Sequence, residues 1–368
     1  MRPKHITSIY GPRRTGKTTL VNCYLDTLAD IKILRAVGDD ITVRNLLSSE
    51  ASSLILDWAS GYGLVFIDEA QRIPKIGWGL KILIDARPDL KVIVTGSASF
   101  DLASQIGAPL TGRQTAVSLF PIAVMEMAKH RNDFELRQSL PQFLVYGMYP
   151  EVLVAPDTRE KQQILRGVLS AYLFKDILEI ENVKNSRLLL DLLTLVAYQV
   201  GSEVSLNELA VRLGVNARTV ARYLDLFEKN YILYNLRGFS RNLRSEVTKT
   251  SKYYFYDNGI RNAVIGDFNH IEGRGDLGAL WENFIIMERL KYRSYSQKIA
   301  NDYFWRTWEK QEIDLIEEAG GGLSAFEFKY SPNKSGAAPK KFRDAYPDAS
   351  HGTVSKENFI EFVTDRPY

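Results

Sequence analysis

The stretch GPRRTGKTT, residues 11–19, constrains this chain more than any other. Gly11, Gly16, Lys17 and Thr18 fit the phosphate-loop pattern G-x-x-x-x-G-K-[ST] in full. The loop follows an apolar run, HITSIY, that predicts a strand. It precedes KTTLVNCYLDTLAD, where Leu20, Val21, Tyr24, Leu25 and Leu28 recur at helical spacing. In such a strand–loop–helix unit, backbone N–H groups curl around phosphates at a helix N-terminus. Gly11, Pro12, Arg13, Arg14, Thr15, Gly16, Lys17, Thr18 and Thr19 form the expected cradle. Lys17 reaches the β- and γ-phosphates and Thr18 holds Mg²⁺. Arg13 and Arg14 either add positive charge there or point to solvent.

The next strands supply the rest of a nucleotide site. LVFIDEA, residues 64–70, is an apolar strand ending in two carboxylates. Asp68 is expected to bind Mg²⁺ through water and Glu69 to polarise the attacking water. KVIVTGSAS reads as another parallel strand, with Ser97 just past its end, where ligands of open α/β sheets sit. Ser97 is read as a γ-phosphate sensor or a plain strand-to-turn serine. Arg113 is read as a source of charge for the γ-phosphate, in cis or from a neighbouring subunit, or as an ordinary salt-bridging arginine. No Asn-Lys-x-Asp guanine signature follows, so ATP is preferred over GTP.

GPRRTGKTT, FIDEAQRIP, VIVTGSAS, LTGRQTAVSLFPIAVMEM and YGMYPEV, in that order, resemble a large prokaryotic family of AAA-type P-loop ATPases with a C-terminal domain of unassigned function. YLFKDILEI, KYYFYDNGI, LGALWENFI and EIDLI…FEFKYS extend the resemblance over nearly the whole chain. It implies ATP binding and hydrolysis. Ten residues precede Gly11, where relatives usually carry a further segment that helps wall the adenine pocket.

At 368 residues the chain is too long for one ordinary core. A single cysteine, Cys23, excludes an internal disulfide and fits a reducing cytoplasm. Four scattered histidines do not suggest zinc, and no apolar run is long enough for a membrane helix. The net charge is only +3, so any nucleic-acid surface must be local. The expected architecture is a P-loop α/β domain over 1–155, connecting helices over 156–200, a winged helix-turn-helix over 201–257 and a small α/β nuclease-like domain over 258–368.

SLNELAVRLGVNARTVARYLDLFEKNYILYNL carries the helix-turn-helix pattern. Ser205 and Glu208 form a capping box, and Leu206, Leu209, Ala210 and Leu213 make the apolar face. The turn holds Gly214, with Asn216 capping a second helix that buries Val220, Leu224 and Phe227. Arg218, Thr219 and Arg222 lie on another face, where a reading helix contacts DNA. Arg237, Arg241, Arg244, Lys249 and Lys252, opposed only by Glu246, read as a basic wing. The alternative is a packing or lid module beside the ATPase.

Further on, LGALWENFIIMERL predicts a helix burying Leu280, Trp281, Phe284 and Met287, with Glu282 near its start. Two strands follow, joined by Gly320-Gly321-Gly322. Glu327 and Lys329 share a face of the second strand, and Asp314 sits on the first. Asp314, Glu327-x-Lys329 and Glu282 resemble the PD-(D/E)xK nuclease core, in which two carboxylates hold Mg²⁺ and a lysine orients water. No proline precedes Asp314. The expectation is a Mg²⁺ or Mn²⁺ site; the alternative is a hairpin retained for binding alone. Three functions remain open: an ATPase governing a DNA-engaging C-terminal half, as a monomer or a homo-oligomer; an ATP-dependent switch for a protein partner; and an ATP-gated Mg²⁺-dependent nuclease.

Overall fold

The structure is a computed structural model and describes residues 4–97, 110–171, 186–239, 251–307, 309–331 and 337–365. Its described residues form two units, residues 1–120 with 229–231 and residues 121–228 with 232–368. The chain therefore divides after Phe120 rather than at 155, and the expected divisions at 200 and 257 fall inside the second unit.

In the first unit, β1 (Ile6–Tyr10), β2 (Ile33–Val37), β3 (Leu64–Asp68), β4 (Lys91–Gly96) and β5 (Gln114–Ser118) make a parallel sheet in the order β2-β3-β4-β1-β5. Leu64–Ile67 and Val92–Val94 are buried, as runs without alternation are when both sheet faces are covered. Strand β4 separates β1 from β3, so three carboxyl ends stand side by side: those leading to the phosphate loop, to Asp68 and to Ser97. The loop enters the helix Lys17–Leu25. That helix buries Val21 and Leu25, but Leu20 and Tyr24 are 49% and 43% exposed, so its apolar stripe is narrower than the sequence spacing suggested.

Gly11 is required by a close approach of two backbones. At φ 146°, a Cβ there would stand 1.9 Å from the carbonyl oxygen of Leu119. The Leu119 N–H in turn donates to Tyr10 O at 2.7 Å. The phosphate loop is thus packed against the backbone that leaves β5.

In the second unit, β6 (Glu203–Val204), β7 (Leu233–Gly238), β8 (Ser251–Phe255), β9 (Asn301–Arg306), β10 (Glu312–Ala319), β11 (Gly322–Phe328) and β12 (Ser350–Val354) form one sheet, ordered β12-β11-β10-β9-β7-β8-β6. The helix-turn-helix hairpin and the C-terminal strands were expected as separate domains. Instead β7 runs parallel to β9 through Arg237↔Tyr303 and Gly238↔Phe304. The physical reason is a shared core: Val220, Phe227, Tyr254, Trp281, Phe284 and Phe359 belong to one buried cluster.

The helices Leu206–Leu213 and Ala217–Lys229 bury Leu209, Ala210, Val220, Leu224 and Phe227, while Leu206 stays 37% exposed. Only half of the capping box forms. Ser205 Oγ accepts from the Glu208 N–H at 3.3 Å, but the Glu208 carboxylate pairs with Arg212 at 2.9 Å. No helix of the described residues is long and apolar enough to cross a membrane.

Candidate functional site

The phosphate loop holds its lysine with its own carbonyls. Lys17 Nζ donates to Gly11 O at 2.9 Å and Pro12 O at 2.6 Å, and Thr15 Oγ1 donates to Pro12 O at 2.9 Å. Thr15 and Lys17 are 4% and 7% exposed. Gly16 takes a left-handed φ of 91° and opens the helix. Arg14, Thr18 and Thr19 are exposed, and Arg13 is half-buried.

Across the sheet, Thr18 Oγ1 donates to Asp68 Oδ2 at 2.8 Å. Two hard oxygen donors are thereby side by side, the type and spacing that suit Mg²⁺ retaining several waters. When bound, that ion neutralises charge on the β- and γ-phosphates. The other Asp68 oxygen accepts from Thr95 Oγ1, whose oxygen accepts the Glu69 N–H at 3.3 Å. Thr95, on β4 between the loop strand and the acid strand, was not anticipated. The signal was present: it is the last polar side chain inside a strand whose carboxyl end points at the site.

Ser97 is buried, 4% exposed, and its hydroxyl accepts from Gln71 Nε2 at 2.9 Å. The same Gln71 nitrogen donates to Glu69 Oε2. Glu69 has a left-handed φ of 52°, uncommon for a residue with a Cβ, and opens the short 3₁₀ turn Ala70–Arg72 that carries Gln71.

Arg113 does not join this group. The register pairs Gln114 with Ile6, and Ile6 N donates to Arg113 O at 2.9 Å, so Arg113 lies at the amino end of β5. The phosphate loop follows the carboxyl end of β1, five residues along, or about 17 Å at roughly 3.3 Å per residue. Arg113 is ion-paired with Asp85 there. The in-cis role expected for it is corrected accordingly.

In the second unit the structure gathers Asp314, Glu327 and Lys329. One step beyond the last ladder pair, Leu315↔Phe326, Asp314 faces Glu327. A bulge between Ile313 and Ile316 against β9 re-aims Asp314, and its Oδ2 accepts the Phe328 N–H at 2.7 Å. Lys329 Nζ stands 3.9 Å from Asp314 Oδ2 and 3.7 Å from Glu327 Oε2. A cleft of ≈ 440 Å³ is lined by Glu282, Asp314, Lys329 and Tyr330, among others.

Asp314 and Glu327, the two carboxylates expected to hold Mg²⁺ or Mn²⁺, both face Lys329. Among the described residues, no three His, Cys, Asp or Glu side chains are grouped to hold a metal ion. A second protein cation stands beside Glu282. Lys252, 0% exposed, is ion-paired with Glu282 at 3.3 Å and with Glu312. Tyr254 OH donates to the same Glu282 oxygen at 2.6 Å. Burial pushes the Glu282 carboxyl up to about 7, partly offset by Lys252 and Tyr254, and burial also raises Asp314. Burial alone would lower the Lys252 ammonium, but Glu282 and Glu312 outweigh it and hold it above its ordinary value. Lys252 is thus no part of a basic wing.

Arg218 and Arg222 are exposed on the helix Ala217–Lys229, with the Arg222 guanidinium 5.2 Å from the Tyr223 ring centre. Thr219 is engaged locally, its N–H and hydroxyl both donating to Asn216 Oδ1, at 2.7 and 3.0 Å. Arg237 is exposed on β7. Arg241, Arg244, Glu246 and Lys249 lie outside the described residues, as does the whole YLFKDILEI segment, residues 172–180.

Residues 3–128 match the family described as AAA domain, residues 137–270 a domain of unknown function (DUF8612) and residues 277–364 a domain of unknown function (DUF4143). An uncharacterized protein of Mycobacterium tuberculosis is 27% identical over 342 residues, covering 90% of this chain and 71% of its own. One from Haemophilus influenzae is 26% identical over 339 residues, covering 84% and 79%. Among solved structures, the Aeropyrum pernix ORC1 protein in complex with DNA is similar at TM-score 0.34 and 12% identity, covering 72% of this chain and 87% of that one. The matched family over residues 3–128 and the Lys17–Thr18–Asp68 geometry identify the N-terminal part of this chain as an AAA-type P-loop ATPase domain.

Proposed function

We propose that ATP binding and turnover in the N-terminal unit set the state of a DNA-engaging C-terminal unit. One run of backbone carries the reading. Leu119 is packed on Gly11 of the phosphate loop, and the chain leaves that unit one residue later. In the next unit the backbone is gripped at once: Lys291 Nζ donates to Ile122 O at 3.2 Å, and Val124 N donates to Glu288 Oε2 at 2.6 Å. Glu288 and Lys291 are themselves paired at 2.7 Å and are 2% and 3% exposed. Both lie on the helix Leu277–Tyr295, which also carries Glu282 at the cleft. A shift of the phosphate loop on filling is thereby felt, through five residues of chain, by a helix of the second unit.

DNA as the ligand of that unit is supported by Arg218 and Arg222, exposed at i, i+4 spacing on the second helix of a helix-turn-helix, with Arg237 on the following strand. Cleavage is not part of the proposal: Asp314 and Glu327 face Lys329, and Glu282 is paired with Lys252. The test is fluorescence anisotropy of a labelled duplex with the full chain, with and without ATP. Salt-sensitive binding that changes several-fold with ATP, and loses that response in Lys17→Ala, supports the reading. Binding indifferent to ATP overturns the coupling, and no binding at low salt overturns the DNA partner.

A further inference from the structure

Gln71 is the one side chain that touches both Glu69 and Ser97 among the described hydrogen bonds. Its amide nitrogen donates to Glu69 Oε2 and to Ser97 Oγ, the latter at 2.9 Å. The assignment of that nitrogen follows from chemistry, since only the –NH₂ side of an amide can donate to a carboxylate. The opposite end, Gln71 Oε1, is buried and has no hydrogen-bond partner among the described residues. A buried amide oxygen with no partner forfeits its hydration without compensation and calls for a donor. The position is held by backbone geometry. Glu69 sits in the left-handed region and opens the 3₁₀ turn Ala70–Arg72 that carries Gln71.

From this we infer that Gln71 is a water-positioning residue for ATP hydrolysis. Its –NH₂ fixes the Glu69 carboxylate and ties it to Ser97, and its carbonyl oxygen accepts one O–H of the attacking water. The water oxygen bonds to the γ-phosphorus as the bond to the β–γ bridging oxygen breaks, and the electron pair leaves on ADP. One water proton passes to Glu69 and is released with the phosphate. The other stays on the new phosphate oxygen and is the one facing Gln71. A water held by two acceptors presents its lone pair in one direction, which is the orientational part of the rate enhancement. Within this arrangement Ser97 acts as an anchor for Gln71, a role distinct from both readings open for it, the γ-phosphate sensor and the plain strand-to-turn serine.

The inference rests on the ATPase assignment, and the experiment separates the two. Steady-state ATP hydrolysis and affinity for a non-hydrolysable ATP analogue are measured for the full chain, Gln71→Ala, Gln71→Glu, Glu69→Gln and the double variant Glu69→Gln/Gln71→Ala. Gln71→Glu is isosteric and guards against loss of folding. The expected result is a kcat loss of about 10- to 100-fold in both Gln71 variants, with analogue affinity within about twofold of wild type, a smaller cost than losing the base itself. The double variant is expected to be no slower than Glu69→Gln alone, because both groups act on one water. Unchanged kcat in Gln71→Ala overturns the inference. So does an undiminished effect in the Glu69→Gln background, or a fall in affinity that accounts for the loss. A wild-type chain that binds the analogue and hydrolyses nothing would instead count against the ATPase assignment itself.

Discussion

The ammonium of Lys252 lies 3.3 Å from the Glu282 carboxylate, with Tyr254 OH 2.6 Å from the same oxygen. This buried charge pair joins the strand Ser251–Phe255 to the helix Leu277–Tyr295. Removing the cation leaves Glu282 and Glu312 uncompensated. Lys252→Ala is therefore expected to destabilise the C-terminal unit by about 3–5 kcal/mol, the cost of orphaning a buried charge. Urea denaturation monitored by tryptophan fluorescence measures it; a change below about 1 kcal/mol would show that water already reaches the pair.

The same pair makes stability depend on pH. Burial raises Glu282 from 4.5 to about 7, so the folded protein holds a proton there more tightly than the unfolded chain does. A raised folded value gives stability that is complete below the unfolded value and is lost as pH rises through the folded one. Wild type should lose stability relative to Glu282→Gln between pH 4.5 and about 7, with a flat difference above that range. A difference that grows in the opposite sense would mean that Lys252 dominates Glu282 in the fold.

Metal chemistry should be confined to the nucleotide site. In the absence of nucleotide, Mn²⁺ is expected to give no saturable binding that depends on Asp314, since the Lys329 ammonium already faces both Asp314 and Glu327. Isothermal titration of wild type against Asp314→Ala checks this. Tight stoichiometric binding lost in the variant would restore the metal site.

At the phosphate loop, Lys17→Ala should lose the thermal stabilisation that ATP confers, about 2.7 kcal/mol at a ligand concentration 100 times Kd. Glu69→Gln should keep that stabilisation and lose turnover by about 10²-fold or more. Arg113→Ala should alter neither in a single chain, because Arg113 is at the far end of β5. A large kcat loss in Arg113→Ala would require a second copy to bring the arginine to the site, and mixing it with Lys17→Ala would reveal this as recovered activity.

What was legible in the sequence were features whose meaning is local. The loop from Gly11 to Thr18 and the apolar strand ending in Asp68 each specify their geometry within a few residues, and the helix-turn-helix apolar face follows from spacing apart from the exposed Leu206. Arg113 was left open between a γ-phosphate role and an ordinary salt bridge, and its pairing with Asp85 fits the second: it precedes its strand, and a parallel strand brings its carboxyl end, not its amino end, to the site. Lys252, read as part of the wing, was misread. In TSKYYFYD it sits beside other basic residues and looks like surface, and only partners 30 and 60 residues further on bury it. Long-range pairing of that kind leaves no periodic trace. Merging of the two C-terminal modules into one sheet was invisible too, because the parallel contact of β7 with β9 spans only two residue pairs.

The basic face of the helix Ala217–Lys229 gives the last prediction. Arg218 and Arg222 are exposed, whereas Thr219 is engaged by Asn216 and Lys252 is buried, so contacts to phosphates should rest on the two arginines. A lost phosphate contact lowers the slope of log affinity against log salt by about 0.9 on duplex DNA. Replacing both arginines by Ala should reduce the slope by nearly two units and weaken all sequences alike, while Thr219→Ala should act through stability, by about 1 kcal/mol or less, and leave the slope unchanged. If the slope of the double variant equals that of wild type, this face does not meet DNA. A loss confined to one sequence would place an arginine on a base edge and not on the backbone.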